Sequence, residues 1–150
     1  VLNVMRAVVD LKEVAKIKML IFGSVTEESG LKKEFNSLCD DDIIQYVGWI
    51  KSSESYNYFE AADIVIFPTA HSVLWEQAVG QGKPCIFRYI EGMTHVDVGG
   101  NCVLLRERTE LAIKKAIKET IDNYDSMCKV AKERGMSVFS FDKIAKRAIE

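Results

Sequence analysis

Five short runs of almost wholly apolar residues, each separated from the next by a polar or amphipathic stretch, constrain this chain more than any other feature. They are Lys18-Met19-Leu20-Ile21-Phe22-Gly23, Ile43-Ile44-Gln45-Tyr46-Val47-Gly48, Asp63-Ile64-Val65-Ile66-Phe67-Pro68, Pro84-Cys85-Ile86-Phe87 and Cys102-Val103-Leu104-Leu105. A strand that is apolar at successive positions must be covered on both faces, the pattern of a parallel sheet. The intervening stretches supply the cover. Val4, Met5, Val8, Leu11 and Ala15 recur at helical spacing, as do Leu31, Phe35 and Leu38, and Tyr56, Phe59 and Ala62 behind a capping Ser52 or Ser53. A fourth helix is expected from about Ser72 to Gln81. A long fifth runs from a Thr109 cap with Ile113, Ala116, Ile117, Ile121, Tyr124, Cys128 and Ala131 on its buried side. A helical tail over 136–150 carries Ile144, Ala145 and Ala148. Strands alternating with helices make right-handed crossover units. The expected fold is therefore α/β, a Rossmann-like parallel sheet of about five strands with helices on both faces.

Composition removes several alternatives. The 150 residues are 48% hydrophobic with 2 prolines and 9 glycines, which is neither a disordered nor a low-complexity chain. The net charge of −2 gives no basic field for nucleic acid. No apolar run approaches the about 20 residues of a bilayer span, and the segment from Val1 to Val14 lacks the layout of a signal peptide. Cys39, Cys85, Cys102 and Cys128 form no C-x-x-C pair, so free structural thiols in a reducing, cytoplasmic setting are expected.

In sheets of this kind ligands bind beyond the C-terminal ends of the strands. The loop after the third strand, Pro68-Thr69-Ala70-His71-Ser72-Val73, opens directly into a helix, where free N–H groups and the dipole favour phosphate. His71 is placed to add a hydrogen bond or a charge, Ser72 a hydroxyl or simply an N-cap. Glu76, one turn on, offers an acceptor-only carboxylate suited to a vicinal diol, or is merely an acid favoured by the first turn. The stretch from Arg88 to Asn101 has no periodicity and holds Glu91, Thr94, His95, Asp97 and three glycines; loops of that length are commonly functional. Gly23 and Gly48 close strands where a ligand can approach the backbone. Trp49 and Ile50 follow Gly48, and Trp49 reads either as a cover for a nucleobase or as a core aromatic. His71 lies far from His95 and Asp97 in the chain, so no metal site is expected, and no Walker, G-x-G-x-x-G or G-x-S-x-G motif occurs.

Taken in order, Ile21-Phe22-Gly23, Tyr46-Val47-Gly48-Trp49, Ala61-Ala62-Asp63-Ile64-Val65-Ile66-Phe67-Pro68-Thr69 and Trp75-Glu76-Gln77-Ala78-Val79-Gly80-Gln81-Gly82-Lys83-Pro84 resemble the C-terminal, donor-binding domain of GT-B glycosyltransferases of family 4 (glycosyl transferases group 1). The likeness runs from about Val4 to Leu105. It implies a hexosyltransferase-type enzyme that transfers a sugar from a nucleotide-diphosphate sugar to a glycan or lipid-linked acceptor in polysaccharide biosynthesis, with retention, without a metal or other cofactor. It places the nucleobase against Gly48, Trp49 and Ile50, the diphosphate on the backbone of His71, Ser72 and Val73, and the ribose hydroxyls on Glu76. Gly23 closes the strand beside the donor cleft, and Gly92-Met93-Thr94-His95 occupies the place of the family's Gly-Gly-x-x-Glu loop.

Two departures accompany the resemblance. The first glutamate of the family's E-x7-E motif would fall at Pro68, so its contact to the transferred sugar passes to His71, the tentative catalytic candidate, or to the 91–97 loop. The family's first strand of this domain, with its phosphate-clamping Arg and Lys, and the acceptor-binding N-terminal domain would precede Val1. The 150 residues are thus expected to be one donor-binding domain of a larger enzyme, inactive alone, whose other parts meet the acceptor and the inner face of the membrane. The alternatives are half of a non-hydrolysing sugar-nucleotide epimerase and a non-catalytic Rossmann-like binding module.

Overall fold

The computed structural model describes residues 1–25, 31–40, 42–140 and 145–146. Five strands alternate with helices in the expected order: α1 (Leu2–Leu11), β1 (Met19–Phe22), α2 (Lys32–Leu38), β2 (Ile44–Gly48), α3 (Ser55–Ala61), β3 (Val65–Phe67), α4 (Leu74–Gly80), β4 (Cys85–Arg88), β5 (Cys102–Leu105), α5 (Glu110–Asp122), α6 (Tyr124–Val130) and α7 (Met136–Phe139). All strand pairs are parallel. The class is α/β and Rossmann-like, as the sequence requires.

The single sheet of about five strands is corrected to two smaller ones. Among the described residues β1 pairs only with β2, and β3-β4-β5 form a separate sheet. Hydrogen bonding between strands depends on spatial order, which apolar patterning does not encode. The two sheets nevertheless share a core. Val4, Met5, Val8 and Leu11 of α1 and Ile113, Ala116 and Ile117 of α5 pack with Ile21 of β1, Ile44 of β2, Ile86 of β4 and Leu105 of β5. On the opposite face Phe59 of α3 and Trp75, Ala78 and Val79 of α4 enclose Val65, Cys85 and Phe87. Alternation along β4 is the reason for both layers: Ile86 turns one way, Cys85 and Phe87 the other, and all three are fully buried. Trp75 stacks on Phe87 with ring centroids 4.5 Å apart and planes 3° from parallel. β1 and β2 are less well covered, and Leu20, Phe22 and Tyr46 are each more than a third exposed.

Helix boundaries shift in instructive ways. Thr109 caps α5 by accepting a 3.2 Å hydrogen bond from the Ala112 N–H. The long helix then breaks at Asn123, whose Nδ2 donates back to the Glu119 carbonyl at 2.8 Å, and Ile121 is left exposed. Ser52 and Ser53 enter a 3-10 turn, Ser52–Glu54, instead of capping α3, and Glu54 closes the turn by accepting from the Lys51 N–H at 2.8 Å. Ile144 and Ala148 lie outside the described residues. Among the described residues no helix is long and apolar enough to cross a membrane.

Candidate functional site

Within each sheet the strands are parallel, so the loops after β1 and β2 leave from one end of their sheet, and those after β3 and β4 from one end of theirs. After β1 and β2 the chain turns at Gly23 and Gly48, whose φ values of 113° and 84° belong to glycine. The Gly23 N–H donates to the Gly48 carbonyl at 2.9 Å, so the two turns are tied together. Tyr46 Oη donates to the Gly23 carbonyl at 2.7 Å. Trp49 follows with 82% of its surface exposed, which removes the core-aromatic reading, and Ile50 is half-buried.

A second group forms after β3 and β4. His71 Nε2 and His95 Nε2 each lie 2.8 Å from the same atom, Glu76 Oε1. A carboxylate only accepts, so each ring presents a protonated Nε2 to it. Glu76 Oε2 is sheltered from solvent and has no hydrogen-bond partner among the described residues. Burial pushes the Glu76 carboxyl up, but the hydrogen bonds from His71 and His95 outweigh it and hold the group below its ordinary range. The rings are positioned by aromatic contacts. His71 meets Trp75 edge-on at 5.1 Å, His95 lies 6.2 Å from Phe139, and the two imidazoles are 6.0 Å apart.

Ser72 is not the N-cap of α4, a place that Val73 takes without a side-chain hydrogen bond; instead its Oγ accepts from the Leu74 N–H at 3.3 Å in the turn just before the helix. Val73 and Thr94 are exposed and join neither group by a hydrogen bond among those of the described residues. The linear separation of His71 from His95 concealed their meeting, since β4 and its loop carry His95 back over the start of α4.

The 88–101 loop owes its order to Asn101, a residue the sequence did not single out. Its fully buried side chain accepts from the Val98 N–H at 2.7 Å and donates to the Val96 carbonyl at 3.1 Å. Asp97 Oδ1 accepts from Gly99 and Gly100 N–H at 3.2 and 2.8 Å, and Val96 plugs the core beneath. The signal was present as an Asn between two glycines and an apolar strand, a turn composition.

No protein-family model matches the chain, and no curated protein matches it. Among solved structures it is similar to the pneumococcal O-GlcNAc transferase GtfA, crystallised with UDP and GlcNAc. The TM-score is 0.65 at 17% identity, over 99% of this chain and 33% of that one. The chain thus spans about a third of the length of that protein. The likeness shows the fold, a Rossmann-like α/β domain.

Proposed function

We propose that this chain is the donor-binding domain of a glycosyltransferase, holding a nucleotide-diphosphate sugar along the C-terminal ends of its strands. The observation that carries the reading is the convergence of Glu76, His71 and His95, from two separate loops, at that edge of a doubly wound α/β fold. The fold likeness to a transferase whose crystal structure contains UDP supports it. In this reading the exposed Trp49 stacks on the base, with the Gly23 and Gly48 turns allowing close approach. Glu76 accepts from the ribose hydroxyls, and the backbone of His71, Ser72 and Val73 meets the diphosphate. His71, already a donor, is set to follow charge developing on the departing diphosphate. Transfer itself rests on placing donor and acceptor together. The acceptor, glycan or lipid-linked, is met by parts outside these 150 residues.

The divided sheet fits the same reading. A doubly wound sheet has the order 3-2-1-4-5-6, and the separate pairings β2-β1 and β3-β4-β5 are compatible with places 3-2 and 4-5-6. We read the middle place as belonging to a strand from a longer chain, so that these residues bind donor but do not transfer sugar alone.

Titration of the 15N-labelled chain with UDP, GDP and ADP tests the proposal. One nucleotide is expected to shift the amides of Gly48, Trp49 and Ser72 saturably. The absence of any shift at those positions with all three would refute donor binding, and sugar transfer by the 150 residues would refute the need for a further part.

A further inference from the structure

We propose that His71, Glu76 and His95 form a binding site for a divalent transition-metal ion of the zinc class. Their ligand atoms all lie within 4.8 Å of one another. Two imidazoles and a carboxylate, with the remaining positions open, are the donor set of a His2Glu zinc centre. The site shares His71 and Glu76 with the donor-binding reading, so ion and nucleotide sugar would be alternative occupants; the proposal does not rest on that reading and concerns the affinity of this chain for the ion in the absence of nucleotide.

Geometry supports the assignment. Both Nε2 atoms are 2.8 Å from Glu76 Oε1. Zinc bonds of about 2.0–2.2 Å at tetrahedral angles require donor separations of about 3.3 Å. Opening by roughly 0.5 Å on the two edges that meet at Glu76 therefore brings them to that separation. The side chains are 29%, 22% and 46% exposed for His71, Glu76 and His95, which leaves room for that movement and a face open to solvent. Among the described residues Glu76 Oε2 is a sheltered acceptor that no hydrogen-bond partner reaches, a state that native structures rarely leave unexplained. The rings do not have to be recruited from free rotation, since Trp75 and Phe139 already restrict them. Proton balance is simple. Each ring moves its hydrogen from Nε2 to Nδ1 and gives the freed Nε2 lone pair to the metal, while the carboxylate is already ionised.

His71 precedes α4, Glu76 lies on it, and His95 returns after β4, so the three donors meet only in the folded chain. The ion must then stabilise the native state by mass action. The experiment is isothermal titration of the 150-residue chain with Zn2+, paired with absorption spectra of the Co2+ form and thermal unfolding with and without Zn2+. One ion per chain is expected, with visible ligand-field bands and no sulfur-to-cobalt charge transfer. His71→Ala and His95→Ala should each weaken binding at least about 10-fold and abolish the zinc-dependent rise in Tm. His95→Gln provides a second, shape-conserving variant at that exposed position. Cys102→Ser, which removes a thiol adjacent to Cys85 across β4 and β5, should leave binding unchanged. Absence of saturable binding would overturn the proposal. So would affinity retained in both His95 variants, or a sulfur charge-transfer band lost in Cys102→Ser.

Discussion

Asp40 shows how one side chain starts a strand. Its Oδ1 accepts from the Ile43 N–H at 2.6 Å and the Ile44 N–H at 3.1 Å, satisfying two donors where the chain enters β2. Those two hydrogen bonds lower the Asp40 carboxyl below its ordinary range, with Ile43 the larger cause. A carboxyl whose folded value is depressed contributes stability that is present above its unfolded value and lost as pH falls through the folded one. Urea midpoints should therefore fall on acidification through and below the ordinary aspartate range. Asp40→Asn, which keeps an acceptor but cannot ionise, should flatten that part of the profile; an unchanged slope would remove Asp40 from the account. Glu76 is the contrasting residue. Its place in a first turn was legible, and its use as a shared acceptor for two histidines was not. A first-turn acid looks the same in sequence whether its partner is the helix dipole or a ring brought by another loop.

Among the elements, α4 and the C-terminal segment illustrate packing that composition hides. A Cβ on Gly135 would stand 2.7 Å from the Val79 carbonyl oxygen and 2.8 Å from Val79 Cγ1, and one on Gly80 would stand 2.8 Å from the Phe139 carbonyl oxygen. Neither glycine is required for a positive φ; both are required for close approach. Alanine favours a helix over glycine by about 1 kcal/mol, yet Gly135→Ala should destabilise the chain by about 1–3 kcal/mol because the backbone of α4 cannot retreat cheaply. Chemical denaturation measures this, and a neutral or stabilised variant would show that the two segments are not held in contact. The tight contact also fixes Phe139 beside His95, so the packing reaches the candidate site. The break between α5 and α6 belongs at this scale as well. Apolar residues continue at helical spacing through Asn123, so periodicity alone joined two helices that a side-chain-to-backbone hydrogen bond separates.

The whole molecule is held unequally. β4 has a strand on either side and its residues Cys85, Ile86 and Phe87 fully buried, whereas among the described residues β1 and β2 pair only with one another and carry exposed Leu20, Phe22 and Tyr46. Amide hydrogen exchange should accordingly be slowest in β4 and faster in β1 and β2, which can open without disrupting the three-stranded sheet. Equal protection across all five strands would contradict this division. What couples the two parts is the α1–α5 layer, where Lys114 Nζ donates to Asp10 Oδ2 at 2.7 Å at the rim of the shared core. Truncating an apolar residue in that layer loosens both sheets together, unlike a change in Trp75, which lies wholly on the β3–β5 side.

The sequence by itself determined the elements and their class. Apolar periodicity, capping residues and strand-closing glycines act over a few residues, and so five parallel strands and their covering helices could be written down from the chain. It also directed attention to the loops that follow the strands, because a parallel sheet gathers such loops at one edge. The tertiary structure decided which strands share hydrogen bonds, that Trp49 faces solvent, and that His71, Glu76 and His95 meet at one oxygen atom. Those outcomes depend on contacts between segments distant in sequence, set by packing geometry and backbone pairing, for which no local pattern of residues is a sufficient cause.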